Sequence, residues 1–298
     1  MDISGYKQNN SKSHVVASVV PEITKSEPCW LGIDEAGRGP VLGPMVYGIA
    51  YCPISMKDKL KDMGLADSKT LSEEKRESLM NSIDEAKDYM GWIVNILAPN
   101  AISNGMLRRC KYNLNAISHD TAIGLVQKAI EKGVNVKEVY VDTVGPPEKY
   151  QAKLEGIFPD LKITVAKKAD ALYSIVSGAS ICAKVCRDHC VKEWEFKEGI
   201  EVDNFGSGYP GDPNTKNFMK EQLDPVFGFP QLVRFGWSTA YNVIDEKCVS
   251  VCWEDDEDEE EKAKRPRSVL TMFSEKTEPQ LKRHKYFKDN CLKNVDSF

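Results

Sequence analysis

The sequence predicts an α/β fold with acidic residues gathered where buried strands end. Three observations carry that prediction. Short apolar runs rich in β-branched and aromatic residues recur at 30–33, 45–51, 91–97, 139–144 and 162–165. Segments of helical period, with cap and stop signals, follow most of them. The runs numbered one, four and five lead into carboxylates: Asp34 with Glu35, Asp142, and Asp170.

In chain order, residues 1–27 are polar and read as an N-terminal leader. Strand 30–33 then delivers Asp34 and Glu35. Two acids at the end of a buried strand are costly unless a cation compensates them. Gly37 and Gly39 flank Arg38 and let the backbone approach a ligand closely, since neither carries a Cβ. Carboxylates beside an exposed, anion-friendly backbone suit phosphate-ester chemistry. A polar hairpin turn with solvated acids is the plain alternative. The dinucleotide fingerprint is excluded: the glycine spacing is wrong, Pro40 and Pro44 interrupt it, and 45–51 reads as a strand where a helix is required.

Residues 66–70, ADSKT, precede a helical stretch at 71–86, with Thr70 and Glu73 spaced as a capping box. Lys69 is a candidate phosphate contact, or part of an ordinary turn. After strand 91–97, KYNLN at 111–115 opens a helix that runs to 132 and stops at Gly133. Lys111, Tyr112 and Asn113 suit a nucleic-acid strand through charge, stacking and hydrogen bonding, or Asn113 is a helix cap.

Strand 139–144 carries Asp142 and ends at Gly145; a helix at 148–158 and strand 162–165 follow. A long helix is expected from Asp170 through Cys190, with Arg187 and Asp188 as surface charge, or Arg187 as a phosphate contact, and Cys182, Cys186 and Cys190 as one apolar stripe. An acid at a helix start is also a common cap. Tyr209 sits in the rigid loop 206–213, held out to stack on a sugar or base, or serving as a turn aromatic. A last helix is expected at 229–244, carrying Arg234, Phe235 and Trp237.

Composition narrows the class. With 298 residues, 41% of them apolar, the chain can bury a sizeable core. No run of 18 apolar residues occurs, so no membrane span is expected, and the first residues lack the features of a secretory signal. Nine cysteines without a C-x-x-C pair, and four scattered histidines, read as reduced thiols rather than disulfides or a zinc site. The net charge of −5 conceals a run of eight acids at 254–261; without it 40 basic residues face 37 acidic ones. The expected organisation is a polar leader at 1–27, a catalytic domain with a helical extension at 28–250, and an acidic then basic, disordered tail at 251–298.

Strand ends on one edge of an α/β sheet lie close together. Four carboxylates there would repel one another without a cation, and all-oxygen ligands favour Mg²⁺ or Mn²⁺. Taken together, DEAGRGP at 34–40, DSK at 67–69, VDTVG at 141–145, KADALY at 168–173 and SGYP at 207–210 resemble the type 2 ribonuclease H family, over about 29–240. KYNLN, FGFP at 227–230 and the tail length are similar to its eukaryotic, heterotrimeric branch.

The resemblance implies an RNase H-like mixed five-stranded sheet flanked by helices, with a helical C-terminal extension. It implies that Asp34, Glu35, Asp142 and Asp170 hold two Mg²⁺ ions, with Mn²⁺ as a substitute, one activating water and one stabilising the leaving 3′-oxygen. Gly37, Arg38 and Gly39 would read the ribose 2′-hydroxyl by their backbone, Tyr209 would bond it and stack on the next sugar, and Lys69 and Asn113 would add substrate contacts. Implied substrates are RNA–DNA hybrids and duplex DNA with embedded ribonucleotides, cut on the 5′ side to leave 3′-hydroxyl and 5′-phosphate ends. Implied roles are ribonucleotide and RNA-primer removal, with two accessory subunits docking after about residue 195. KAKRPR at 262–267 is a candidate import signal, or a basic balance to the acidic run; the expected location is the nucleus, with the cytoplasm second. The competing class is a non-catalytic protein that binds nucleic acid or serves assembly. Support for a nucleotide phosphotransferase is lacking, because there is no G-x-x-x-x-G-K-[ST] loop.

Overall fold

A computed structural model describes residues 1–65, 71–110 and 112–250. Lys69, Lys111 and the tail at 251–298 lie outside the described residues. Six strands form one sheet: β1 (His14–Ala17), β2 (Cys29–Ala36), β3 (Met45–Pro53), β4 (Gly91–Leu97), β5 (Val136–Asp142) and β6 (Lys162–Ala166), in the order β1-β4-β3-β2-β5-β6. The first four positions pair antiparallel; β2, β5 and β6 pair parallel. The helices are α1 (Ser4–Gln8), α2 (Ile23–Ser26), α3 (Lys57–Asp62), α4 (Glu73–Glu85), α5 (Pro99–Leu107), α6 (Leu114–Glu131), α7 (Pro147–Ile157), α8 (Ala169–Leu172), α9 (Ser174–Lys192), α10 (Pro213–Glu221) and α11 (Ser238–Lys247).

Alternation along the strands sends side chains to two cores. Trp30, Val46, Ala50 and Val94 pack with α9 residues such as Val176 and Ala183. Leu31, Ile33, Ile49 and Ile93 pack with Val126 of α6 and Leu154 of α7 on the other face. A third core, with Val41, Leu42, Phe218, Leu232 and Val233, lies under α10 and α11. Helix α9 sits directly on the sheet. A Cβ on Gly32 would lie 2.5 Å from the Ile175 carbonyl carbon, and one on Gly48 would lie 2.7 Å from the Ala179 oxygen.

Four expectations are corrected. The sheet has six strands rather than five, because residues read as leader supply β1, which covers the β4 edge, while Tyr6 of α1 is buried against Trp194. Four residues, His14–Ala17, inside a Ser- and Asn-rich segment give too short a pattern to stand out. The helix expected from Asp170 breaks at Tyr173, whose backbone is extended, giving α8 and α9. The helix expected at 229–244 starts only at Ser238; Pro230 and Gly236 disfavour it earlier, and 229–237 runs as turns around a buried Arg234. The cap of α4 is Ser72, whose hydroxyl accepts the Lys75 amide at 3.3 Å, while Thr70 lies outside the described residues. Among the described residues no helix is long and apolar enough to cross a membrane.

Candidate active site

Parallel pairing of Ile33 with Val141 brings Asp34 beside Asp142, and Asp142 itself pairs with Ala166 at the end of β6. Asp34 is buried at 4% exposure and Asp170 at 1%. Asp34 accepts the Glu35 amide at 2.7 Å, and Ser180 of α9 also hydrogen-bonds its carboxylate. Oδ1 of Asp142 accepts two amides, Thr143 at 3.1 Å and Ala169 at 3.0 Å. The second bond links the end of β5 to the residue before Asp170. Asp170 accepts the Ala171 amide at 3.1 Å, and Ser177 of α9 donates to its backbone carbonyl.

Burial, then the charges of Glu35 and Asp142, push the Asp34 carboxyl well above the usual carboxylate range, against the Ser180 and Glu35 hydrogen bonds. Among the described residues no three Asp, Glu, His or Cys side chains close around one point as a finished metal cage. The residue chemistry fits a hard divalent cation all the same: every candidate donor is a carboxylate oxygen, and Asp34 is buried among carboxylate charges that a cation would offset.

Beside the acids the chain turns through residues 37–43, and nearly every carbonyl of that turn is held from behind. Arg234, fully buried, donates from Nη2 to the Gly37 carbonyl at 2.7 Å, from Nη1 to Arg38 at 3.4 Å, and from Nε to Gly43 at 2.7 Å. Trp237 Nε1 donates to the Gly39 carbonyl at 3.1 Å, and the Arg234 guanidinium lies 4.9 Å over its ring. In a trans peptide the N–H points opposite to the carbonyl. The Arg38 and Gly39 amides are therefore turned away from Arg234. Burial and neighbouring Arg187 pull the Arg234 pKa down to about 9, so the guanidinium is charged at neutral pH.

Tyr209, 53% exposed, joins this turn. Its ring edge lies 3.4 Å from where a Gly39 Cβ would sit, and the Gly208 carbonyl accepts the Val41 and Leu42 amides at 2.7 and 3.3 Å. The Arg38 side chain reaches α6, donating to Asn115 Oδ1 at 2.5 Å and to Ser118. The Arg38 side chain is thus engaged in tying the turn to α6. Asn113 is exposed and caps α6, accepting the Ala116 amide at 3.0 Å. The Arg108 guanidinium sits 4.4 Å over the Tyr112 ring, and the Tyr112 hydroxyl is held by Asp120 at 2.7 Å. A pocket of about 460 Å³ lined by Arg38, Gly39, Met106, Leu114 and Trp237 opens beside the turn.

Sequence reasoning missed Arg234, Trp237, Ser180 and Arg187 as site-building residues. Arg187 is half-buried rather than surface charge. A Cβ on Gly37 would fall within 2.3 Å of its side chain, and Nη2 lies 3.5 Å from the Leu42 carbonyl. Asp188 pairs with Arg76 at 2.8 Å. A lone arginine inside the apolar run LVRFGW was the one available signal for Arg234.

The ribonuclease HII family model matches residues 31–240, from the strand bearing the acids to the start of α11. The chain belongs to the ribonuclease HII family. Membership makes it a ribonuclease H, an endonuclease. It is 50% identical to a ribonuclease H2 subunit of Bos taurus over 298 residues, covering 99% of each chain. It is 48% identical to the Homo sapiens protein of the same name over the full length of both. Among solved structures, ribonuclease H2 of Pyrococcus horikoshii superposes with a TM-score of 0.62 at 31% identity, covering 73% of this chain and 98% of that one. The family thus extends to the mixed sheet and flanking helices described above.

Proposed function

We propose that this ribonuclease H cuts the phosphodiester on the 5′ side of a ribonucleotide, in RNA–DNA hybrids and at single ribonucleotides embedded in duplex DNA. The products carry 3′-hydroxyl and 5′-phosphate ends. The observation that carries this reading is the turn at 37–39, gripped through its carbonyls by Arg234 and Trp237 so that the Arg38 and Gly39 amides point away from Arg234, with Tyr209 packed against the same turn. Preorganised N–H groups pay no reorganisation cost when they meet a ligand hydroxyl. The 2′-hydroxyl is the group that separates RNA from DNA.

Asp34, Glu35, Asp142 and Asp170 are the residues that would hold two Mg²⁺ ions, with Mn²⁺ able to replace them. When bound, such ions supply Lewis-acid stabilisation of the attacking and leaving oxygens. The protein's own part is positional. Ser180 holds the Asp34 carboxylate, Ala169 and Thr143 hold Asp142, and Tyr209 supplies a ring and a hydroxyl at the ribose. Lys69 and Asn113 are proposed as outer contacts to the strand.

The relatives are named as one subunit of a larger enzyme, which supports assembly with accessory subunits. Val226, Phe227 and Val249 are exposed beyond residue 195, Phe227 at 85%, and offer apolar surface for that docking. A nuclear site of action, with the cytoplasm second, accords with a DNA substrate. The test is cleavage of a labelled RNA–DNA hybrid by the chain with its candidate accessory subunits. Asp34→Ala is expected to abolish product without lowering the melting temperature; turnover retained in that variant contradicts the assignment.

A further inference from the structure

Lys168 is the sole non-glycine with a positive φ among the described residues, at φ 55° and ψ 43°. Left-handed backbone is costly for a side chain with a Cβ, and such outliers gather where a site needs them. Here the turn comes immediately after β6 and before α8. It reverses the chain within one residue, so that the next amide, Ala169 N–H, meets Asp142 Oδ1 at 3.0 Å while the residue after it, Asp170, is buried. The Lys168 carbonyl then accepts the Ala171 amide at 3.0 Å, closing α8. The Asp142 carboxylate is thereby tied to the segment that carries Asp170 by an amide-to-carboxylate hydrogen bond whose direction depends on the dihedral angles of Lys168.

We infer that Lys168 is a positioning residue whose left-handed backbone sets the placement of Asp142 relative to Asp170. This rests on the proposed reading of those carboxylates as metal ligands. The ammonium is exposed and is not the working part. A glycine or an asparagine, which both tolerate this conformation, should therefore do the same work, while a β-branched residue, which resists it, should not.

The test compares Lys168→Gly, Lys168→Asn and Lys168→Val in the full chain with its accessory subunits. Mn²⁺ affinity is read by calorimetry, cleavage by kcat and KM, and folding by the melting temperature without metal. Gly and Asn variants are expected to hold kcat and Mn²⁺ affinity within about twofold, with an unchanged or higher melting temperature. The Val variant is expected to lose about tenfold in kcat and fivefold or more in Mn²⁺ affinity, with KM within twofold, the size of effect usual for groups that orient ligands. Equal losses in Gly and Val would assign the role to the lysine side chain and overturn the inference, as would a Val variant indistinguishable from wild type. Weakened Mn²⁺ binding by Val in an assembly that never cuts would uphold the positioning role and defeat the cleavage reading. Wild-type protein that neither binds Mn²⁺ nor cuts would overturn both.

Discussion

Arg234 reaches from the C-terminal extension to place its guanidinium 2.7 Å from the Gly37 carbonyl oxygen, and the same side chain holds Gly43 at 2.7 Å. A buried cation is thus compensated by backbone oxygens rather than by a carboxylate, and the turn it grips is the one proposed to read ribose. Arg234→Lys keeps a charge but cannot span two carbonyls with a planar fork. It should destabilise the fold by roughly 2–4 kcal/mol through orphaned buried carbonyls, and lower kcat/KM at a single ribonucleotide by about tenfold or more. Urea unfolding and steady-state cleavage check the two effects.

Helix α9 depends on missing side chains. Gly32→Ala or Gly48→Ala would push a methyl into the backbone of Ile175 or Ala179, neither of which can rotate away. Each should cost about 1–3 kcal/mol. Because Ser180 holds Asp34 from this helix, kcat should fall with KM nearly unchanged. An unaltered melting temperature would show that α9 can shift.

Asp34→Asn removes the buried carboxylate that burial, Glu35 and Asp142 disfavour as an anion. Its amide oxygen can still accept the Glu35 amide. Metal-free protein should gain about 1–2 kcal/mol while cleavage disappears, as when a strained functional group is neutralised. Thermal melts in EDTA read the gain.

His119 stacks on Tyr150 at 3.9 Å, with Nε2 3.2 Å from the Val144 carbonyl. Burial holds its pKa below the usual 6.5, opposed by the Val144 bond and reinforced by Lys153 and Arg38, with Asp120 acting against them. In the unfolded chain the ring gains its proton near 6.5, while in the folded one it stays neutral to lower pH. Its contribution to stability is therefore present above that unfolded value and is lost as pH falls through the folded one. Melting temperatures between about pH 7 and pH 5 should fall less steeply in His119→Phe than in wild type.

Tyr209→Ala should reduce cutting at one embedded ribonucleotide far more than it weakens duplex binding, because the ring lies on Gly39 at the turn and not in a distant docking surface. Equal losses in both would reduce Tyr209 to a docking contact.

Much of this architecture was legible in the chain. Strand 91–97 is found where its GWIVNIL run predicts it, and the carboxylates Asp34 and Asp142 are neighbours because the apolar runs of two parallel strands stop together, although β2 itself continues through Asp34 to Ala36 against β3. Tyr209 and the GRG turn do meet. Less legible was whatever depends on contacts distant in sequence. Arg234 is 197 residues from Gly37, and an arginine in an apolar run is equally consistent with one face of a helix. The β1 strand is too short to show a period, and the break at Tyr173 interrupts a run that otherwise favours helix.

The most direct measurement uses a labelled duplex holding one ribonucleotide, beside a matched all-DNA duplex, with the assembled protein in Mg²⁺ and in EDTA. The expected result is a single Mg²⁺-dependent nick on the 5′ side of the ribose and none in the all-DNA duplex. Tight binding with no nick, or equal cutting of both duplexes, would contradict the role given to the turn that Arg234 holds.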